Sequence, residues 1–241
     1  MAKTLGILGG CGGIGRQLVS DAQAAGWEVV VFDLARSIEA HPLDGVVTQA
    51  VDASDPADME RAAGLLEGPL DGFVNLCGFV LGDGPLAERT PGEWVEVMAG
   101  NLNAAFFAAR AFAPRMAKGS AMVQVGSGLG HYARPGYGPY GVAKAGIAQM
   151  TRQLALELAP DVRVNCVSPS AVDTAFLRGG TGRSDEDAAP RVDINAYASV
   201  IPLQRVAVPA DVTGPILFLL SDQAAYVTGQ VLHINGGAYM P

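Results

Sequence analysis

Basic residues are scarce in this 241-residue chain. Its 16 Lys and Arg face 24 Asp and Glu, for a net charge of −8. No Lys/Arg cluster appears, and neutralising nucleic-acid phosphates needs one, so no nucleic-acid partner is expected. Cysteine is equally sparse. Cys11, Cys77 and Cys166 are odd in number, widely spaced and without a Cys-x-x-Cys pattern, which argues against a disulfide framework or a zinc site. They are expected to be small buried residues in a reducing compartment. Only three histidines occur, His41, His131 and His233, too scattered to suggest a metal centre. No long apolar run is present: 104–116 and 215–220 are too short or too interrupted to span a bilayer. Met1-Ala2-Lys3-Thr4 leads straight into a strand-like segment with no apolar signal region. The expectation is a cytoplasmic protein that needs neither metal nor membrane.

Apolar residues, by contrast, are plentiful at 49%, with only 17% charged. One large core is therefore available, and the length suits a single α/β domain over 1–241. Short Val/Ile/Leu runs predict strands at 4–8, 28–32, 46–51, 72–75, 121–125, 162–167 and 231–234. Helical spacing predicts helices at 15–25, 57–66, 94–113, 140–159 and 211–219. This alternation implies a Rossmann-like, doubly wound parallel sheet with helices on both faces. One segment breaks the rhythm: 175–207 is polar, with little apolar period, and is expected to form a substrate-binding lid.

The turn after the first strand reads Gly9-Gly10-Cys11-Gly12-Gly13-Ile14-Gly15 and opens a helix. Glycines there allow a tight bend and close approach to a pyrophosphate, and the helix N-terminus adds free N–H groups. Asp33 ends the second strand, where a carboxylate can accept ribose hydroxyls and repel a 2′-phosphate. Leu34 follows it in place of a cation, which favours NAD over NADP, although Arg36 stands close by. Asp52, after the third strand, is placed either to meet the adenine edge or to lead into the next helix. Asn75-Leu76-Cys77-Gly78 follows the fourth strand, placed to contact a cofactor ribose or to brace the sheet. Tyr140 and Lys144 stand at i and i+4, side by side on one helix face. A free tyrosine titrates near ~10, and a nearby cation favours its phenolate. Ser127 lies thirteen residues upstream of Tyr140.

Together with Asn101, Arg163-Val164-Asn165, Pro169-Ser170, Thr174 and the closing Thr228-Gly229-Gln230 and Asn235-Gly236-Gly237, these motifs resemble the short-chain dehydrogenase/reductase family in order and spacing, over essentially the whole chain. Three positions depart from the family pattern: Leu8 replaces a threonine, Cys77 an alanine and Ser170 a glycine. The resemblance implies that Tyr140 is the acid/base and that Lys144 lowers its pKa and holds the nicotinamide ribose. It implies that Ser127 hydrogen-bonds the substrate oxygen and that Asn101 kinks its helix and holds a relay water. It extends the cofactor wall to Ala53, Pro169, Ser170, Val172 and Thr174. It also implies an NAD-dependent secondary-alcohol dehydrogenase or ketone reductase acting without metal, in a homotetramer or homodimer.

For the substrate, Phe79, His131 and Tyr137 are candidates, with Leu81, Tyr132 and Phe176 adding an apolar or aromatic wall; a hydrophobic or aromatic alcohol is expected. Arg178, Arg183 and Arg191 keep a 3-hydroxyacyl or 3-oxoacyl thioester open as the alternative. A non-catalytic NAD-binding scaffold would not need the intact Asn101, Ser127, Tyr140 and Lys144. A methyltransferase would have no use for the Tyr140/Lys144 pair.

Overall fold

A computed structural model of the chain describes residues 2–82, 84–180, 186–190 and 192–240. Seven strands form one parallel sheet: β1 (Thr4–Leu8), β2 (Glu28–Asp33), β3 (Val47–Ala50), β4 (Leu70–Asn75), β5 (Met116–Val125), β6 (Val162–Pro169) and β7 (Val231–Ile234). Their order is β3-β2-β1-β4-β5-β6-β7, and every neighbouring pair is parallel. Parallel strands cannot be joined by tight hairpins, so helices cross over between them and cover both faces. This is the doubly wound Rossmann-like fold implied by the alternating sequence pattern.

Strand alternation sorts the core into two layers. Leu5, Ile7, Val29, Val31, Val74 and Val123 face one side, with α1 (Gly13–Ala24) and α8 (Pro209–Leu220) packed over them. Leu8, Phe32, Phe73 and Met122 face the other. There α3 (Pro56–Gly64) and α5 (Ala104–Phe112) cover the sheet. Phe112 of α5 stacks on Phe73 at 4.5 Å between ring centroids and tilts against Phe32 at 4.8 Å. The closing motifs are structural. The Arg163 guanidinium donates to the Leu219, Val227 and Ser221 carbonyls at the end of α8. Asn165 bonds Val227 and receives the Gln230 N–H, tying β6 to the approach of β7.

The element boundaries shift in informative ways. The single helix expected over 94–113 is instead α4 (Pro91–Met98), a π turn at Ala99–Asn103, and α5. Thr90 and Glu93 cap α4 reciprocally, which sets its start three residues before Trp94. The fifth strand begins at Met116 rather than 121. A short helix, α2 (Ala35–Ala40), follows β2 and has no strong apolar period to announce it. Within 175–207, a 3₁₀ turn spans Ala175–Arg178 and α7 spans Ile194–Ser199, started by the Asp193 carboxylate. Val172 bridges Ala207, so the ends of the segment are pinned together. Ile201 and Val206 are buried. Arg183 and Arg191 lie outside the described residues. No helix among the described residues is long and apolar enough to cross a membrane.

Candidate active site

Strand order reverses between β1 and β4, whose partners then run to opposite edges. Such a switch point leaves a crevice at the carboxyl ends of the strands. A cavity of about 400 Å³ opens there, lined from the β1, β2, β4, β5 and β6 ends and from the start of α6 (Gly138–Leu158).

One half of the cavity is built mainly from backbone turns. Gly9, Gly13, Ile14 and Gly15 line it. A β-carbon on Gly15 would collide with the Gly9 carbonyl oxygen, and one on Gly13 would come within 2.7 Å of Thr174, so only glycine closes this turn. Asp33 ends β2 in the wall, with Leu34, Asp52 and Ala53 beside it. Its carboxylate accepts from the Cys11 N–H and the Leu34 N–H, each at 2.8 Å. Burial raises its pKa, and those two N–H groups oppose the rise. Cys77, Gly78, Pro169, Ser170, Val172 and Thr174 complete this half. Burial drives the Cys77 thiol well above the ordinary range, so it stands there as a neutral apolar contact.

At the centre stand Ser127, Tyr140 and Lys144. Gly138–Leu158 starts immediately before Tyr140, with Pro139 in its first turn, so i to i+4 spacing puts both side chains on the cavity face. Ser127 stands beside Tyr140 in the cavity wall, and its Oγ accepts the Leu129 N–H at 3.2 Å. Lys144 is 3% exposed, and its ammonium donates to the Val125 carbonyl at 2.9 Å and lies 5.5 Å from the Tyr140 ring centre. Burial dominates both groups: the phenol is pushed up to about 12, with Ser127 opposing, and the ammonium down to about 8. Contrary to the expectation that Lys144 sets the phenol low, burial raises it and Ser127 is what opposes the rise.

Four expected contact residues stand behind the wall rather than in it. Cys11 and Gly12 shape the turn, and Asn75 is 1% exposed, its amide bonded to Gln124 and to the Cys77 N–H. Asn101 sits in the π turn, fully buried, donating to the Val97 and Phe79 carbonyls and accepting the Phe79 N–H. It still looks towards the centre: a β-carbon on Gly78, at φ +152°, would fall 2.6 Å from Asn101 Oδ1 and 3.0 Å from Lys144 Nζ. Gly78 therefore keeps the space between them open.

On the third side, Phe79, Tyr132, Tyr137 and Phe176 line the cavity, and Tyr140 and Phe176 rings lie 5.9 Å apart. His131, expected in the pocket, turns away and packs edge-on against His233 at 4.5 Å. His233 Nδ1 is 2.6 Å from the Tyr239 hydroxyl, and the Tyr239 ring lies 4.8 Å from that of Tyr132. Tyr239 also crowds Gly128, next to the Ser127 hydroxyl: a β-carbon there would meet it at 2.9 Å. Arg134 and Tyr197 are wall residues that sequence reasoning did not single out. Arg134 does fall between Ser127 and Tyr140, where it could have been noticed, whereas Tyr197 lay in a segment without apolar period.

Residues 9–239 match the family model described as enoyl-(acyl carrier protein) reductase. The chain belongs to the short-chain dehydrogenase/reductase family. It is 32% identical to 2-(S)-hydroxypropyl-CoM dehydrogenase 3 of Xanthobacter autotrophicus over 98% of this chain and 96% of that protein. It is also 32% identical to the 3-oxoacyl-(acyl-carrier-protein) reductase of Thermotoga maritima, covering 96% and 95% of the two chains. The crystal structure of a glucose/ribitol dehydrogenase-type member from Brucella melitensis superposes with a TM-score of 0.90 at 29% identity, over 99% and 97% of the chains.

As a short-chain dehydrogenase/reductase, the protein is an NAD(P)-binding oxidoreductase acting on CH–OH groups. The cavity fits such a cofactor on its own evidence. The glycine turn admits a backbone-close pyrophosphate, and the Asp33 carboxylate ends β2 where a ribose would lie. The buried Lys144 offers its remaining donors at the centre.

Proposed function

We propose that this chain interconverts a secondary alcohol and a ketone with NAD(H), and that the organic substrate is hydrophobic or aromatic. The observation that carries this is Ser127 and Tyr140 set beside the buried Lys144 in one cavity with Asp33. The bound nicotinamide would supply or accept the hydride. The protein's part is to position and polarise. Ser127 and Tyr140 both donate to the carbonyl oxygen, stabilising the negative charge that grows on it. Tyr140 then delivers its proton to that oxygen. Lys144 would hold the ribose and sustain the local positive charge, and Asn101, across the gap kept by Gly78, would hold a water that returns a proton to Lys144.

Asp33 supports NAD over NADP, since its carboxylate would repel a 2′-phosphate. The wall formed by Phe79, Tyr132, Tyr137 and Phe176 supports an apolar substrate body. The segment 175–207 would act as a lid that orders on substrate binding, and exposed Trp94, Val95, Phe106, Leu156 and Leu232 support a homotetramer or homodimer. A second reading is favoured by the relatives' own descriptions: a 3-oxoacyl thioester would be reduced by the same residues.

The test is NADH and NADPH oxidation followed against a panel of ketones and acetoacetyl thioesters. Tyr140→Phe is expected to lower kcat by roughly 10²–10⁴-fold. Unchanged turnover in that variant would overturn the mechanism.

A further inference from the structure

Most arginines in the chain are already spoken for. Arg61, Arg89, Arg110, Arg178 and Arg205 form ion pairs with carboxylates. Arg16, Arg115 and Arg163 donate to backbone carbonyls, and Arg152 to Gln149. Among the described residues only Arg36 and Arg134 make neither kind of bond, and both line the same cavity. They belong to different parts of it. Arg36 follows Asp33 and Leu34 after β2, whereas Arg134 lies between Ser127 and Tyr140 on the substrate side.

Arg134 is exposed but not adrift. Its guanidinium sits over the Tyr197 ring, 5.6 Å from the centroid, and Tyr197 shares the cavity wall with Tyr132. Tyr132 in turn packs against Gly128, next to Ser127. The ring holds the guanidinium at the wall, and no described carboxylate or carbonyl takes up its N–H groups, which suit a planar oxyanion. In a chain of net charge −8, an arginine that is held in a pocket wall yet paired with none of the described carboxylates leaves a site for an anion brought from outside.

Resting on the ketone-reductase reading above, we propose that Arg134 is a specificity-determining residue. It binds an anionic group on the substrate, separated from the reacting carbonyl by an apolar spacer that lies along Tyr132 and Tyr197. The shared chemistry is an oxyanion. A carboxylate on a keto acid and a phosphate on a coenzyme thioester both supply one.

Two matched pairs separate these sources: 4-acetylbenzoate with its methyl ester, and acetoacetyl-CoA with acetoacetyl-N-acetylcysteamine. Each is measured with the full-length wild type and with Arg134→Gln. In the responding pair the wild type favours the anionic member in kcat/KM. Arg134→Gln lowers that preference about tenfold through KM (about 1.4 kcal/mol), and raising the ionic strength weakens it in the wild type only. Which pair responds names the source. A charged-to-neutral ratio that is the same in both proteins for both pairs overturns the proposal. If the wild type reduces none of the four, the ketone-reductase reading fails separately. Calorimetric binding of 4-acetylbenzoate and its ester then decides the role of Arg134: tighter binding of the acid, lost in Arg134→Gln, supports it, and equal binding overturns it.

Discussion

Asp33 shows how much one carboxylate can decide. Both its oxygens are held by N–H groups, from Cys11 and Leu34, so it is fixed at the place a ribose would occupy. Asp33→Ala is expected to reduce the preference for NADH over NADPH by about tenfold or more, since an acceptor and a repulsive charge disappear together. Equal efficiency with the two cofactors in the wild type would remove that role. The central pair sets the pH behaviour. With the phenol pushed up to about 12, Tyr140 keeps its proton throughout the neutral range, so ketone reduction is expected to be flat there. It should fall as pH climbs through about 8, where Lys144 loses its charge, while alcohol oxidation, which needs the phenolate, rises with pH. Rate profiles in both directions check this; a reduction rate that climbs above neutral pH would contradict it. Ser127, Tyr140, Lys144 and Asp33 were legible in the sequence because fixed spacing on a helix or at a strand end dictates where they point. His131 was not. Its loop position left the ring's direction open, and packing against His233 decided it.

The π turn at Ala99–Asn103 is the element on which the sequence was least informative. Continuous apolar spacing across 94–113 reads as one helix, and nothing in that period reveals an extra residue in a turn. The turn forms because Asn101 finds three buried backbone partners, at Val97 and Phe79, that a regular helix would not offer it. An inserted residue of this kind often marks a functional position. Gly78 is its counterpart across the cavity. Gly78→Ala would push a methyl between Asn101 Oδ1 and Lys144 Nζ and strain a backbone at φ +152°. A loss of kcat of roughly 10- to 100-fold is expected, with a stability cost of about 1–3 kcal/mol. Measuring kcat and Tm on the same preparation separates the two effects, and wild-type kcat would show that the gap carries no function. The strands and most helices were readable from alternating periodicity. The segment 175–207 was not, because its turn and helix depend on local caps, Thr174 and Asp193, rather than on an apolar stripe.

Across the whole molecule, acid sensitivity is expected to come from the two histidines, His131 and His233, packed beside the cavity. Burial lowers the pKa of both His131 and His233, and mutual proximity and Arg152 lower that of His131 further. The folded state therefore favours the neutral rings and the unfolded chain takes up protons first. Stability should be intact above the unfolded histidine value near ~6.5 and decline as pH falls below it. Thermal melts across that range should show Tm dropping by a few degrees, and His233→Gln should flatten the curve; an unaltered curve would place the sensitivity elsewhere. The fold itself follows from strands that are apolar on both sides, which only a doubly covered parallel sheet satisfies. What composition could not reveal was the division of labour inside the cavity, in which strand ends build the cofactor half and loops build the other.

Tyr239 gives that division a practical edge. Its ring leans on Gly128 and Tyr132 and its carbonyl is tied to Asn235, so the closing residues act as a short tether fastened beside Ser127. A purification tag, fluorophore or fusion partner attached after Tyr239 is expected to disturb the turn that carries Gly128 and Ser127. Labels for kinetic work belong instead on exposed positions of the far face, such as Glu60 or Lys118, where they pull on nothing that reacts.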